Sequence, residues 1–277
     1  MTIEPAPAKI NLALHIRARR ADGYHELETL FAFCADGDVL TIEPADEHAF
    51  TLTGAYGPAL AGDADNLVTR ARDRFLALVG SEARYAITLE KRLPIASGIG
   101  GGSADAAACL RVLARLHDVP LDAPEPLALA LDLGSDVPAC LIGRSAIGAG
   151  RGETLTPVEG LAGVPALLLN PGVAVSTGAV FRAWDGVDRG PLPDTGPLIA
   201  RALAGRNDLE PPARAIAPVI GEVVDLLAAQ SGVVLARMSG SGATCFALFA
   251  AETDCPRAAA AIRAARPGWW CLETALT

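Results

Sequence analysis

Lysine is nearly missing from this chain. Lys9 and Lys91 are its only two, and arginine supplies the rest of the 23 basic side chains against 32 acidic ones, for a net charge of −9. No basic cluster stands out, which argues against a nucleic-acid partner. No apolar run reaches the length of a membrane helix, about 18 residues or more. The N-terminus has no charged start followed by an apolar core, so no signal peptide is expected and a cytoplasmic location is. The six cysteines (34, 109, 140, 245, 255 and 271) never fall at C-x-x-C spacing. They read as reduced core residues rather than a disulfide framework. The four histidines (15, 25, 48 and 117) show no metal-ligand spacing. What remains is a chain of 277 residues, 51% hydrophobic and 20% charged, ample for a packed core. That length suits one large or two medium domains. Pro157, Gly160, Gly163 and Pro165 punctuate a loop, and the boundary is placed there, giving 1–158 and 159–277.

The chain is organised around Leu93-Pro-Ile-Ala-Ser-Gly-Ile-Gly-Gly-Gly-Ser-Ala-Asp105. A strand-like run, Tyr85–Glu90, leads in, and an Ala/Leu-rich helical run, Ala104–Leu116, leads out, with the helix expected to open at Ser103. Glycines at 98, 100, 101 and 102 allow φ > 0 and bring backbone N–H groups close to a bound group. A helix N-terminus adds unpaired donors and partial positive charge at the same place. The combination is an anion site, best suited to phosphate. It is neither of the two common phosphate loops. No lysine follows the glycines, Ser103 stands where the last glycine of G-x-G-x-x-G belongs, and no acidic residue ends a strand some twenty residues on.

Four other stretches carry chemistry-bearing residues. Pro7–Arg17 alternates, with Ile10, Leu12, Leu14 and Ile16 on one face and Lys9, Asn11, Ala13 and His15 on the other, as in a half-buried strand. Lys9 is either a functional ammonium or a charge at a strand entry. Asp22-Gly23 is a turn signal, and Tyr24-His25 leaving it can stack on and hydrogen-bond a flat ligand, or form a half-exposed hairpin pair. Asp136 lies between Gly134 and Pro138, where a carboxylate can act as a base or cap the next segment. Met238-Ser-Gly-Ser-Gly242 joins two strands, Val233–Met238 and Ala243–Phe249, as a hairpin turn or a second anion loop. Strands are also expected at Leu27–Cys34, Val39–Glu43, Ala49–Thr53, Ala166–Asn170 and Trp269–Thr274. Helices are expected from an Asp65-Asn66 cap to about Val79, at Pro124–Leu133, after a Ser176-Thr177 cap, at Ala215–Gln230 and at Pro256–Ala265.

Pro7-Ala-Lys-Ile-Asn-Leu12, the glycine loop and Met238-Ser-Gly-Ser-Gly-Ala-Thr-Cys-Phe246, in that order, resemble the GHMP small-molecule kinases. Asp22-Gly-Tyr-His-Glu-Leu27, Asn66-Leu-Val68, Gly134-Ser-Asp-Val-Pro138, Asn170-Pro-Gly172 and Asn207-Asp-Leu-Glu210 are most similar to the branch acting on a cytidine-diphosphate-linked methylerythritol (CDP-methylerythritol). The loop departs slightly, with Ala96, Ser97 and Ile99 where Gly, Ala or Gly, and Leu are common.

The resemblance implies an α+β, two-domain GHMP kinase fold, with an N-terminal domain like the second domain of ribosomal protein S5 and a ferredoxin-like C-terminal domain. It implies transfer of the γ-phosphoryl of ATP to the 2-hydroxyl of the methylerythritol moiety, in non-mevalonate isoprenoid synthesis. Asp136 would take the hydroxyl proton, and Lys9 would keep Asp136 ionised and stabilise the transferring group. Asn66 and the run Pro94, Ile95, Ala96, Ser97, Gly98, Ile99, Gly100, Gly101, Gly102, Ser103 and Ala104 would hold ATP, with Mg²⁺ on the phosphates and Ser103 or water as partial ligands. Tyr24 and Phe181 would sandwich the cytosine, His25 would read its edge, and Asn11, Thr177, Gly240 and Ser241 would complete the substrate site. A small-molecule substrate, no membrane or nucleic-acid partner, and a monomer or weak homodimer are expected.

Overall fold

The computed structural model describes residues 1–60 and 66–277. Asp65, read above as part of a helix cap, lies outside them. The chain packs as two compact units, neither contiguous in sequence. Unit 1 comprises Met1–Ala8, Asp36–Ile95 and Gly100–Gly143; unit 2 comprises Lys9–Ala35, Ala96–Ile99 and Arg144–Thr277. Two long strands, β1 (Thr2–Arg19) and β2 (His25–Pro44), thread through both, so each contributes to two cores.

In unit 1, Val39–Pro44 of β2 runs antiparallel to β4 (Tyr85–Glu90), and β3 (Ala49–Thr53) lies parallel to β4. Four helices pack with one another: α1 (Leu67–Val79), α2 (Gly101–Leu116), α3 (Pro124–Leu133) and α4 (Val137–Ile142). The Ala-rich sequence of α2 lets its neighbours approach closely, and Ala104, Ala106, Ala107 and Ala108 are all buried. Arg111 ties α2 down, donating to Glu4 Oε1 at 2.5 Å, the Cys140 carbonyl at 2.7 Å and the Pro5 carbonyl at 2.8 Å.

In unit 2, Leu27–Phe31 of β2 pairs with β5 (Ala146–Gly150), which turns into β6 (Thr154–Pro157). A four-stranded antiparallel sheet follows, built from β7 (Pro165–Asn170), β8 (Val233–Met238), β9 (Cys245–Phe249) and β10 (Trp270–Ala275) in the order β10-β7-β9-β8. Helices α5 (Thr177–Ala183), α6 (Leu198–Ala204), α7 (Glu210–Ile216) and α8 (Val219–Ala228) connect β7 to β8, and α9 (Asp254–Ala265) connects β9 to β10. This β-α-β-β-α-β path is the expected ferredoxin-like arrangement. Leu167, Leu169, Val223, Leu227, Cys245, Ala247 and Ile262 form its core, joined by Leu14 and Ile16 of β1.

Several expectations are corrected. β1 is buried on both faces, not half-buried: Lys9 is 3% exposed, Asn11 2% and His15 1%. The two strands expected over Leu27–Glu43 are one strand, β2. Gly37, between the two spans, is in extended backbone where any Cβ would stand 2.1 Å from the Ala6 carbonyl oxygen. The helix expected at Ala215–Gln230 is two helices separated at Ala217-Pro218, because proline disfavours helical backbone in the residue before it. α2 opens at Gly101 rather than Ser103, after Gly100 at φ +66°. β5, β6 and α6 were not anticipated. All six cysteines are free thiols, five of them buried. Among the described residues, no helix is long and apolar enough to cross a membrane.

Candidate active site

Unit 2 holds the middle of the glycine loop. Lys9 N donates to the Ile99 carbonyl at 3.0 Å, and Thr244 N donates to the Ser97 carbonyl at 3.0 Å. The Ser239 hydroxyl donates to the Gly98 carbonyl at 2.9 Å while accepting from Asn11 N at 3.1 Å. Ala96–Ile99 is thus clamped between β1 and the β8–β9 turn. Gly98 sits at φ +80°, and a Cβ there would lie 2.5 Å from the Ser239 carbonyl oxygen, so only glycine fits. Ala96 adopts φ +49° without being glycine.

Hydrogen bonds on the second face of β1 explain why its buried stretch keeps polar side chains. The Lys9 ammonium donates to Asn11 Oδ1 at 2.9 Å and lies 5.5 Å from the centre of the Phe31 ring. Asn11 Nδ2 donates to Thr29 Oγ1 at 2.8 Å, and Thr29 donates on to the Ala13 carbonyl at 2.7 Å. A buried amide satisfied on both ends is locked in place. Arg237 fixes the backbone beside it, donating to the Leu12 carbonyl, to the Ala202 carbonyl at 2.9 Å and to the Gly205 carbonyl at 2.7 Å.

The β8–β9 turn is held from the other side. Asn207 Nδ2 donates to the carbonyls of Met238 and Gly240 at 2.8 and 2.9 Å. A Cβ on Gly240 would stand 3.0 Å from the Gly98 carbonyl oxygen and 3.4 Å from Asn11 Oδ1. Thr177 Oγ1, in the first turn of α5, is 2.9 Å from Ser241 Oγ. The expected capping of α5 is present, with Ser176 Oγ accepting from Ala179 N at 3.3 Å. Lys9, Asn11, Ser97, Gly98, Ile99, Thr177, Gly240 and Ser241 therefore share one hydrogen-bonded neighbourhood, and Thr29, Ser239 and Asn207 join it from outside the sequence-derived set.

An aromatic group gathers at the exit of the Asp22-Gly23 turn. The His25 ring lies 5.0 Å from Phe181, tilted by 39°, and meets Trp184 edge-on at 5.7 Å. His25 Nε2 and Trp184 Nε1 are out of solvent and have no hydrogen-bond partner among the described residues. Burial, reinforced by the charge of Arg19, lowers the His25 pKa. Tyr24 is 50% exposed, with the Arg151 guanidinium 4.2 Å over its ring.

Unit 1 carries the remaining residues. Asn66 caps α1, its Oδ1 accepting from Val68 N at 2.9 Å. Pro94 and Ile95 precede the clamped segment, and Gly100 leads into α2, whose first turn carries Gly101, Gly102, Ser103 and Ala104. The first N–H groups of an α-helix have no intrahelical acceptor, so this turn presents donors of the kind that suit an anion. Asp136 precedes α4 at φ −88°, and its side chain makes no capping bond there.

A buried group that sequence reasoning missed supports that turn. The Lys91 ammonium pairs with Asp38 Oδ2 and, at 2.7 Å, with Asp105 Oδ2. Asp38 Oδ1 accepts from Arg92 N at 2.6 Å and Leu93 N at 2.9 Å. A Cβ on Gly101 would stand 3.4 Å from Lys91 Nζ and 3.5 Å from Asp38 Oδ2, so the trio lies directly against the start of α2. Burial pushes the Asp105 carboxyl up to about 8; Lys91 opposes this and the neighbouring Asp38 adds to it. For Lys91, burial works to lower the pKa, but the two carboxylates outweigh it and raise it. The available signal was the rarity of lysine itself.

Comparison with known proteins bears on the whole chain. The family model "GHMP kinases N terminal domain" matches residues 66–144, and "GHMP kinases C terminal" matches 188–267. The chain is 57% identical to the 4-diphosphocytidyl-2-C-methyl-D-erythritol kinase of Rhizorhabdus wittichii, covering 99% of this chain and 94% of that protein. It is 50% identical to the protein of the same name from Novosphingobium aromaticivorans, over 99% of this chain and 92% of that one. A crystal structure of 4-(cytidine 5'-diphospho)-2C-methyl-D-erythritol kinase superposes with a TM-score of 0.82 at 40% identity, covering 99% of each chain. Homoserine kinase from Cytophaga hutchinsonii shares the fold, with a TM-score of 0.68 at 18% identity over 97% of this chain and 95% of that one.

Proposed function

Because the chain belongs to the GHMP kinase family, we propose that it transfers the γ-phosphoryl group of ATP to the 2-hydroxyl of 4-diphosphocytidyl-2-C-methyl-D-erythritol, a step of non-mevalonate isoprenoid synthesis. The observation that carries this reading is the clamp on the glycine loop. Its Gly98 and Ile99 carbonyls are tied to Ser239 and to the strand bearing Lys9 and Asn11. A phosphate loop is thereby fixed to the residues assigned to the reaction and the acceptor. We assign residues 1–158 to ATP binding and 159–277 to the C-terminal domain, a division compatible with the two family matches on either side of it.

In this mechanism the amides of Gly98–Ser103 and the first turn of α2 hold the phosphates, and Asn66 and the flanking Pro94–Ser97 and Ala104 complete the nucleotide site. Asp136 accepts the proton of the 2-hydroxyl as its oxygen forms a bond to the γ-phosphorus. The bond from that phosphorus to the β-phosphate oxygen breaks, and ADP leaves. Lys9, oriented by Asn11 and the Phe31 ring, neutralises charge on the transferring group. Phosphoryl transfer of this kind depends mainly on positioning and charge stabilisation. Tyr24 and Phe181 hold the cytosine, His25 reads its edge, and Asn11, Thr177, Gly240 and Ser241 hold the remainder.

Mg²⁺ fits the donor set. No group of three or more His, Cys, Asp or Glu residues forms a metal cage among the described residues. A magnesium ion held largely by phosphate oxygens needs none. The Ser103 hydroxyl, in the first turn of α2, is the protein oxygen that would join it, and the ion would offset phosphate charge. We place the enzyme in the cytoplasm as a monomer or weak homodimer.

The test is ATP consumption by the purified chain with CDP-methylerythritol, homoserine or mevalonate as acceptor. Stimulation by the cytidyl alcohol alone, with a new phosphomonoester on its tertiary carbon by phosphorus NMR, is expected. No stimulation by it defeats the proposal.

A further inference from the structure

Tyr24 is assigned to base stacking, yet it is half exposed at the edge of a turn. A surface tyrosine free to change rotamer must be ordered when a ligand stacks on it, and that ordering weakens binding. Here the residue is already ordered from two sides. Asp22 Oδ1 accepts from Tyr24 N at 3.1 Å, which fixes the backbone. The Arg151 guanidinium lies 4.2 Å over the ring, which fixes the side chain.

The placement of Arg151 is built rather than incidental. β2 and β5 pair so that Leu27 faces Gly150, which brings residue 151 back alongside the Tyr24 turn. Gly150 at φ +74° and Gly152 at φ +105° shape the turn, and Gly152 N donates to the Ala149 carbonyl at 3.1 Å. The Glu153 carboxylate accepts from Arg151 N at 2.5 Å. One pleat back, Gly148 presses on Phe31, where a Cβ would stand 2.8 Å from the ring. The hairpin is therefore rigid up to Arg151. Arg151 Nε is out of solvent and has no hydrogen-bond acceptor among the described residues, so the tyrosine π face and the charge of Asp22 are what offset its lost hydration.

We propose that Arg151 is a positioning residue for the acceptor substrate: it occupies one face of Tyr24 and holds the ring so that the other face receives the cytosine. This rests on the assignment of Tyr24 as the stacking platform. The consequence is a layered arrangement of guanidinium, phenol and base, in which arginine sets base affinity without touching the base. An arginine in the same place could instead contact the diphosphate directly, and the test separates the two.

The full chain is titrated calorimetrically with cytidine, which has no phosphate, and with CDP. The proteins are the wild type, Arg151→Met, Arg151→Lys, Tyr24→Ala and the Tyr24→Ala/Arg151→Met double variant. Arg151→Met is expected to weaken both ligands by about two- to five-fold, the range of an exposed cation–π contact. Arg151→Lys should recover part of the loss, and Arg151→Met should add nothing once Tyr24 is alanine. In turnover, KM for the cytidyl alcohol rises while KM for ATP stays. A loss for CDP without one for cytidine assigns the arginine to phosphate and overturns the proposal, as does an equal rise in KM for ATP. If Tyr24→Ala weakens cytidine and Arg151→Met does not, the stacking assignment stands and the positioning role falls. If Tyr24→Ala has no effect, the stacking assignment falls with it.

Discussion

Ser239 and Gly98, 141 residues apart, are joined by a hydrogen bond of 2.9 Å from the serine hydroxyl to the glycine carbonyl. The same hydroxyl accepts from Asn11 N, and Ser239 is fully buried. Ser239→Ala removes both bonds and leaves two buried backbone groups unpaired. Each orphaned group costs about 1–3 kcal/mol. Denaturant unfolding should register a loss of at least that size, and steady-state kinetics should show a raised KM for ATP because the glycine loop has lost a tether.

Lys9→Met and Asp136→Asn address the transfer step from its two sides. Lys9→Met removes charge stabilisation and Asp136→Asn removes the proton acceptor. Each should lower kcat by at least ~10². Affinity for CDP, measured separately, should move little in Asp136→Asn. Turnover near the wild-type rate in either variant removes the assigned role.

Tyr24→Ala should weaken CDP by roughly 1–3 kcal/mol, the range of base–aromatic stacking. Calorimetry measures it directly. An unchanged dissociation constant would place the base elsewhere.

The Lys91 trio predicts a pH-dependent stability. Asp105 has its pKa raised from 3.8 to about 8 in the folded chain. Below its unfolded value the group is protonated in both states and its contribution is fully present. Above it, the unfolded chain releases the proton first, so stability declines as pH rises and levels off past about 8. The raised Lys91 value acts only above the ordinary lysine value of 10.5 and does not enter this window. Tm of the wild type should therefore fall between about pH 5 and about pH 8 more steeply than that of Asp105→Asn. Lys91→Met, which leaves Asp38 and Asp105 buried without their shared cation, should cost about 3–5 kcal/mol.

Ala96 takes a left-handed backbone conformation at φ +49°. A Cβ in that region costs roughly 1–2 kcal/mol. Ala96→Gly relieves it while adding some unfolded-state freedom, so a net gain of about 0.5–1 kcal/mol is expected in denaturant unfolding.

Much of this was legible locally. The strand, glycine loop and helix around residue 101 announce themselves because glycine, helical periodicity and caps act over a few residues. The Asn66 and Ser176 caps are formed as read. The start of α2 at Gly101 is hard to read because glycines are poor helix formers. The continuity of β2 is hidden because Gly37 interrupts its apolar pattern where Ala6 crosses closely. The Ala217-Pro218 break is legible in the sequence, because proline disfavours helical backbone in the residue before it. What could not be read were partnerships across distance. Asp38, Lys91 and Asp105 look like ordinary charges until the fold joins them, and Gly148-Ala-Gly-Arg-Gly152 does not look like the edge of a strand pair.

The interleaved units also dictate an order of assembly during synthesis. All of unit 1 has been translated once Gly143 is made. Unit 2 draws on residues 9–35 yet needs Leu14 beside Asn207 and Cys34 beside Leu276. Its early strands can pair with each other and then with β5, whereas their bridges to Asn207 and Leu276 form only after those residues are made.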